Sequence, residues 1–232
     1  MKVACSSAPF DVAIASRRLT QLEWLDVCAR ELDVDGVVFE QAHFPRTDDD
    51  YVAQLRKMAV DLGLTVVALA CDAPFGPLGD DPSRDAWSAV AAGLGAPIAI
   101  GRAPGWQDDP GAWNSLVSSV RDCALEGKRR NLTLAMRNAA GTLCASGADL
   151  KRLAKDVDSA WLRFALDPEA LDPPESLDAL LPKAVIAIVA GGDGARSLRA
   201  FRPFVLVECV ADDEPLATLG AAVRAARAAA VA

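Results

Sequence analysis

Short apolar runs alternate with longer amphipathic segments along the whole chain. Each short run is rich in β-branched and other apolar residues and reads as continuously hydrophobic, which is typical of strands covered on both faces of a parallel sheet. The pattern predicts eight strands, at Lys2–Ser6, Gly36–Glu40, Leu64–Cys71, Ala96–Arg102, Leu132–Arg137, Leu162–Asp167, Ala184–Ala190 and Phe204–Cys209.

The segments between the predicted strands have helical periodicity. In Thr20–Leu32, apolar residues recur every three or four positions and form one face of a helix. Thr20 followed by Glu23 is a signal for the start of that helix, and Gly63 and Gly95 stand where helices would end just before a strand. The sequence therefore predicts that strands and helices alternate throughout.

Strand–helix units in unbroken succession favour a single (β/α)8 TIM barrel that spans residues 1–232 as one domain. The alternative is a doubly wound open sheet. That fold normally carries a G-x-G-x-x-G motif after its first strand, and this chain has no such motif there. The alanine-rich segment Leu219–Ala232 is predicted to form the last helix of the barrel.

The charge balance limits the kinds of partner that we expect. The 232 residues include 24 basic and 32 acidic side chains, a formal net charge of −8. This acidic surplus argues against binding to nucleic acid or to an anionic membrane surface. The six cysteines are scattered without a CxxC pair, which is typical of reduced thiols, and no signal peptide or membrane-spanning run is recognisable. We therefore expect a cytoplasmic protein.

In a TIM barrel, the functional site lies at the carboxyl ends of the strands. Because side chains alternate along a strand, Glu208 is expected to share the interior face with Leu206 and Phe204, while Val205 and Val207 face the helices. The polar residues at or just beyond the predicted strand ends are Ser6, Glu40, Asp72, Arg102, Arg137, Asn138, Asp167 and Glu208.

These residues lie in a sequence that resembles a known family. The strings LEWLDVCARELDVDGVVFEQAHFP, DDDYVAQLRKMAVDLGL, LTLAMRNAAGT, LRFALDP and FVLVEC look like the corresponding parts of the xylose isomerase-like TIM barrels. The resemblance covers nearly the whole chain, and it implies a sugar or sugar-phosphate isomerase or epimerase. That superfamily also includes endonucleases of abasic DNA, which need clustered histidines, and this chain has a single histidine.

The resemblance also implies where a divalent metal such as Mn²⁺ or Zn²⁺ would bind. Family members hold it with a Glu, an Asp, a His and a Glu on strands 5 to 8. This chain has Asp167 and Glu208 in the second and fourth of these places, but strand 5 ends in Arg137 and Asn138, and strand 7, AVIAIVAGG, has no ligand.

Two carboxylates alone make a weak metal site, and a guanidinium repels a cation. We therefore expect no metal cofactor, with Arg137 paired to both carboxylates; Asp167 and Glu208 would be the ligands if a metal did bind.

The resemblance makes Asp167 and Glu208 the acid/base candidates and gives Arg137 the role of stabilising an enediolate oxyanion. Glu40 and His43 are further catalytic candidates, although Glu40 could instead neutralise an arginine and His43 could be a polar loop residue. Arg102, in turn, could serve only to neutralise the charge of Asp72. The candidate substrate-binding residues are Asn138, Arg102, Asp72, Ser6 and Trp106.

Two functions remain open at this point. The first is a metal-independent isomerase or epimerase that acts on a small polyhydroxylated substrate. The alternative is a non-catalytic descendant of the family that binds a sugar or a small anion. In either case the partner is a small carbohydrate or an anionic molecule, and the alanine-rich last helix could support a homodimer.

Overall fold

The computed structural model describes residues 1–71, 83–106, 108–171, 177–190, 192–198, 201–209 and 215–231. Eight parallel strands close into a barrel in sequence order, with the last strand paired to the first, so the predicted (β/α)8 TIM barrel is confirmed. The strands are β1 Lys2–Ser6, β2 Gly36–Glu40, β3 Thr65–Ala70, β4 Ile98–Arg102, β5 Thr133–Arg137, β6 Leu162–Leu166, β7 Ala184–Val189 and β8 Phe204–Val207.

Helices follow the strands and cover the outside of the barrel. The α-helices are α1 Asp11–Ala15, α2 Gln21–Glu31, α3 Asp49–Asp61, α4 Ser83–Leu94, α5 Ala112–Arg130, α6 Gly147–Val157, α7 Leu177–Leu180, α8 Gly192–Arg196 and α9 Pro215–Val231. Short 3₁₀ helices lie at Ala8–Phe10, Gln41–His43, Pro168–Ala170 and Leu181–Lys183. The predicted alanine-rich helix is α9, which packs against β8 and β1 where the barrel closes.

Several strands are shorter than the sequence predicted. The fourth begins at Ile98 because Pro97, which precedes it, has no N–H to donate to the sheet. The sixth ends at Leu166 because Asp167 turns away to cap a 3₁₀ helix. The eighth ends at Val207, although the N–H of Glu208 still donates to the backbone oxygen of Val189 at 3.0 Å. Polar residues at the strand ends therefore begin the loops above the barrel.

The local helix signals are confirmed. Thr20 accepts a hydrogen bond from the Glu23 N–H while the Glu23 carboxylate accepts one from the Thr20 N–H, so both backbone donors at the start of α2 are satisfied. Gly63 and Gly95 have φ values of 75° and 72°, in the left-handed region that glycine adopts without strain. These turns bring the chain from a helix directly into the next strand.

The apolar residues form two separate clusters. The larger lies between the strands and the surrounding helices, and Trp24, Phe39 and Leu55 are among its fully buried members. The smaller consists of strand residues that face the barrel interior, including Ala135 and Ala165. Every strand thus buries both faces, as the continuously apolar runs indicated.

None of the six cysteines, all of which lie in the described part of the chain, forms a disulfide, as expected. The sulfur atoms of Cys5 and Cys28 lie 3.5 Å apart in the core, and burial raises the pKa of the Cys28 thiol well above its usual range. In the described ranges, no helix is both long enough and apolar enough to span a bilayer.

Candidate active site

The polar mouth of the barrel begins where its apolar interior ends. Leu206 and Phe204 contact the interior cluster, while Val205 and Val207 pack towards the helices. This is the alternation that the sequence predicted for β8, and it continues into Glu208, whose side chain lines the mouth.

Arg137, at the end of β5, joins the two carboxylates of the mouth. Its Nη1 donates to Glu208 Oε2 at 2.8 Å and its Nη2 donates to Asp167 Oδ2 at 3.4 Å. The exposed fractions are 15% for the arginine side chain, 21% for Asp167 and 20% for Glu208. Because little water reaches these groups, their attraction is stronger than that of an exposed ion pair. The pairing expected from the sequence is therefore present.

Asp167 is fixed from several directions. Its Oδ1 accepts hydrogen bonds from the N–H groups of Glu169 and Ala170 at 3.1 and 3.3 Å. Asn138 binds the Asp167 backbone reciprocally, accepting from its N–H at 2.8 Å and donating to its carbonyl at 2.9 Å. Asn138 is fully buried. Asn138 thus supports the backbone of Asp167 from the protein interior, although its place after β5 made it a candidate for binding the substrate.

Arg102 and Glu40 lie on the other side of Arg137. Arg102 is exposed and stands next to Arg137 in the register of β4 and β5. With Glu208, these residues line a narrow cavity of about 20 Å³. Such a volume accommodates about one water molecule and excludes a sugar.

A larger cleft opens beside the two carboxylates. It has a volume of about 350 Å³ and is lined by Arg137, Asp167, Glu169 and Glu208, with Ile188 of β7 among its apolar residues. This volume falls in the range of ~300–1,000 Å³ that is usual for small-molecule sites. The structure therefore brings Arg137, Asp167 and Glu208 together next to a space that can hold a substrate.

A second polar group, which the sequence did not reveal, connects β1 to the end of β2. Ser7 Oγ lies 2.8 Å from His43 Nδ1, and His43 Nε2 lies 3.1 Å from Asp11 Oδ1. Ser7 Oγ also accepts from the N–H of Glu40 at 3.3 Å. The residue types are those of a hydrolase triad, but Ser7 is fully buried and its hydroxyl cannot reach a substrate.

His43, a catalytic candidate in the sequence, has both ring nitrogens engaged in that group, and its side chain is 5% exposed. The His43 ring shares Ser7 with the Glu40 N–H and lines neither of the two cavities. The spacing of 36 residues between Ser7 and His43 explains why no local motif could have indicated this contact.

The remaining candidates are dispersed. Ser6 is fully buried, and its hydroxyl accepts from the N–H of Ala8 at 3.3 Å. Trp106 lies between β4 and α5 with 73% of its surface exposed, and its N–H donates to the Gly141 carbonyl at 2.8 Å. Neither lines the two cavities described above. Asp72 lies outside the described residues.

A family model described as xylose isomerase-like TIM barrel matches residues 28–171, more than half of the chain. The chain belongs to this family. Membership in the xylose isomerase-like family agrees with the closed eight-stranded barrel and with the polar residues at its carboxyl end. No curated protein matches the chain by sequence.

Solved structures of the same fold are similar over the entire chain. A xylose isomerase domain-containing protein from Salmonella typhimurium has a TM-score of 0.78 and 12% identity, and the match covers 100% of both chains. D-psicose 3-epimerase from Clostridium cellulolyticum, solved with D-tagatose, has a TM-score of 0.78 and 14% identity, with 99% of each chain covered. The probable 3-DHS dehydratase AsbF from Bacillus anthracis has a TM-score of 0.80 and 10% identity, covering 97% of this chain and 98% of its own.

The mouth of this xylose isomerase-like barrel does not fit the divalent metal that the resemblance implies. The permanently charged guanidinium of Arg137 lies between Asp167 and Glu208, at 3.4 and 2.8 Å from their oxygens, where it repels a cation. In the part of the chain that the structure describes, no group of three or more His, Cys, Asp or Glu side chains is arranged to hold a metal. The carboxylates are instead neutralised by a cation of the protein itself.

Proposed function

We propose that this family member is a metal-independent isomerase or epimerase of a small polyhydroxylated substrate, a sugar or a sugar phosphate. The observation that carries the proposal is the position of Arg137 between Asp167 and Glu208, beside a cleft of about 350 Å³. Proteins of similar structure include D-psicose 3-epimerase and L-ribulose 3-epimerase, whose names describe sugar epimerisation. Their likeness supports a carbohydrate as the substrate class.

The chemistry needs a base and a group that holds negative charge on oxygen. A carboxylate of the mouth removes a proton from the carbon next to a carbonyl, and the carbonyl oxygen becomes the oxyanion of an enediolate. The guanidinium of Arg137 keeps its charge at every relevant pH and has five N–H donors, so it can stabilise that oxyanion. Arg102, exposed at the rim beside Arg137, would bind a phosphate or carboxylate on the substrate.

The test is turnover of a panel of aldoses, ketoses and their phosphates, followed by NMR. We expect the wild-type protein to convert at least one sugar, and Arg137→Met to lower kcat by about 10²–10³-fold, as for the loss of an oxyanion donor. The matched control is Arg129→Met, which removes an arginine of α5 whose side chain is 76% exposed, and we expect it to retain full activity. Equal activity of Arg137→Met and the wild type would contradict the proposal.

A second candidate function is binding without catalysis. It is favoured by the engagement of both carboxylates with Arg137, because an oxygen that is bonded to the arginine is occupied within the protein. In a thermal-shift experiment with the same panel, a sugar that raises Tm without any turnover would favour this function. A cytoplasmic location and a homodimer stay predictions from the sequence.

A further inference from the structure

The hydrogen bonds of His43 run in one direction. Its Nε2 lies 3.1 Å from Oδ1 of Asp11, and its Nδ1 lies 2.8 Å from Oγ of Ser7. A carboxylate accepts hydrogen bonds and donates none, so in the neutral imidazole the proton belongs on Nε2. Nδ1 is then an acceptor, and the Ser7 hydroxyl donates to it. The oxygen of the same hydroxyl accepts from the N–H of Glu40 at 3.3 Å.

Burial makes this arrangement strict. Ser7 is fully buried, and the side chain of His43 is 5% exposed. In the described part of the chain, the Ser7 hydroxyl has no hydrogen-bond partners besides the imidazole and the Glu40 N–H. Without the imidazole its proton would lack an acceptor, and a buried donor without a partner is costly. The three bonds therefore connect Asp11, at the surface, to the backbone of Glu40, where β2 ends.

The side chain of Glu40 extends from that fixed backbone into the mouth. It lines the narrow cavity together with Arg102, Arg137 and Glu208. Arg102 and Arg137 are register partners on β4 and β5, so two guanidiniums follow adjacent strand ends. Glu208 is bonded to Arg137. Among the described residues no carboxylate forms an ion pair with Arg102, and Glu40 is the other carboxylate that lines the cavity with it.

Glu40 can act on Arg102 without direct contact. The cavity that both residues line holds about one water molecule, so little solvent screens the carboxylate from the guanidinium. An anion bound to Arg102 is attracted by the guanidinium and repelled by the carboxylate near it. The position of Glu40 therefore affects how strongly the mouth attracts an anion.

Resting on the proposed function, we propose that His43 is a positioning residue: through Ser7 it holds Glu40 near Arg102, where the Glu40 carboxylate limits the affinity of the site for a substrate that carries a phosphate or a carboxylate. Neither His43 nor Glu40 takes part in the proton transfer. The two residues instead set the preference of the site between a charged sugar and its neutral counterpart.

The first experiment observes the hydrogen bonds of His43 by NMR. The chain has a single histidine, so every imidazole signal in a ¹⁵N-correlated spectrum belongs to it. At mildly alkaline pH we expect the tautomer with its proton on Nε2, and faster hydrogen exchange of the Glu40 amide in Ser7→Ala. Ser88→Ala is the matched control, because it removes another fully buried serine hydroxyl, on α4, and should change neither signal. A proton on Nδ1, or an unchanged exchange rate of the Glu40 amide in Ser7→Ala, would overturn the inference.

Variants of His43 test its place in the chain of bonds. His43→Phe removes the acceptor, so the Glu40 amide should exchange as fast as in Ser7→Ala. His43→Asn keeps an amide oxygen that can accept from the Ser7 hydroxyl, and it should restore slow exchange. If His43→Asn behaves like Ser7→Ala while circular dichroism shows it to be folded, the inference is wrong.

The second experiment uses inorganic phosphate as the probe, so its result does not depend on turnover. By calorimetry at low ionic strength, we expect Glu40→Gln to lower the Kd for phosphate by about 2–5-fold, the size of one partly screened charge interaction. Ser7→Ala should lower it by a smaller factor, and should have no further effect in the Glu40→Gln background, because Ser7 acts through Glu40. Glu31→Gln, at the exposed end of α2, makes the same change in net charge and should leave the Kd unchanged. An unchanged Kd in Glu40→Gln, a higher Kd in Ser7→Ala, or no phosphate binding by any of these proteins would overturn the inference.

Turnover separates this inference from the proposed function. For each sugar that the wild type converts together with its phosphate, the ratio of kcat/KM for the phosphate to kcat/KM for the neutral sugar should rise by about 2–5-fold in Glu40→Gln. A fall in kcat of about 10²-fold or more would make Glu40 a catalytic residue and overturn the inference, while the proposed function would stand. If the wild type converts no sugar, the proposed function is wrong, and the NMR and phosphate results still decide whether His43 positions Glu40.

Discussion

Arg137→Met removes the cation from the mouth and leaves Asp167 and Glu208 without it. Removing one partner of a fully buried ion pair lowers the free energy of unfolding by about 3–5 kcal/mol. Here the three side chains are 15–21% exposed, and Asp167 retains its backbone donors. The larger loss therefore concerns Glu208, whose 2.8 Å bond is of the charge-assisted kind worth about 1.5–3 kcal/mol. We expect a total decrease of about 2–3 kcal/mol.

Urea denaturation at neutral pH, followed by tryptophan fluorescence and circular dichroism, measures this decrease. Coincident transitions and unchanged m-values verify that the comparison is valid. The triple variant Arg137→Met/Asp167→Asn/Glu208→Gln replaces every charge by a neutral side chain of similar size. Because the decrease in the single variant comes from unpaired carboxylates, the triple variant should return to within about 1 kcal/mol of the wild type.

Two results would refute this reasoning about the mouth. The first is an Arg137→Met protein whose unfolding free energy lies within about 0.5 kcal/mol of the wild type, the scatter of ordinary surface substitutions. The second is a triple variant that is no more stable than the single variant, because the decrease would then come from lost packing of the arginine rather than from its charge.

Three further predictions concern packing, thiols and metal. In urea denaturation, Gly36→Ala should lower the free energy of unfolding by about 1–3 kcal/mol, because the added Cβ would lie 2.7 Å from both a backbone oxygen and a methyl group of β3. Gly105→Ala is the control and should be neutral, because its Cβ would lie 3.8 Å from the nearest atom, a backbone oxygen of Gly141. At pH 8, a thiol reagent should label the partly exposed Cys209 before Cys144, because burial raises the pKa of Cys144 to about 12 and leaves little of its thiolate form. Peptide mass spectrometry measures the two labelling rates, and equal rates would contradict this prediction. Arg137→Glu supplies a third carboxylate, so after Mn²⁺ loading and desalting, elemental analysis should find more metal in this variant than in the wild type; equal contents would argue against repulsion by the guanidinium.

The fold could be predicted because the signals for it are local and repeat along the chain. Continuous apolar runs indicate strands buried on both faces. Thr20 marks the start of a helix, and Gly63 and Gly95 each follow the end of one, as the sequence predicted. The sequence determines the ends of strands less well. Whether a residue such as Asp167 continues the hydrogen bonding of the sheet depends on the turn that follows it. An Asp before Pro168 is nevertheless a helix-start signal that could have shortened β6 in the prediction.

The site could be predicted only in part. Alternation along the strands, together with the family resemblance, was enough to predict the contact of Arg137 with Asp167 and Glu208. The support from Asn138 to the Asp167 backbone could not be foreseen, because it depends on the orientation of one amide in a loop. The contacts of His43 could not be foreseen either, because its partners are distant in sequence: Ser7 lies just after β1 and Asp11 lies in the short helix α1.

Arg137 and its two partners lie far apart along the chain, so the ribosome adds the three residues at different times. Asp167 follows the arginine by 30 residues, whereas Glu208 follows it by 71 and comes directly after the strand that closes the ring against β1. During translation, the weaker of the two contacts can therefore form well before the stronger one. A nascent chain that ends before β8 has two open sheet edges and an arginine with half of its partners. The pairing of Arg137 with both carboxylates should thus be complete only once β8 has left the ribosome and joined β1.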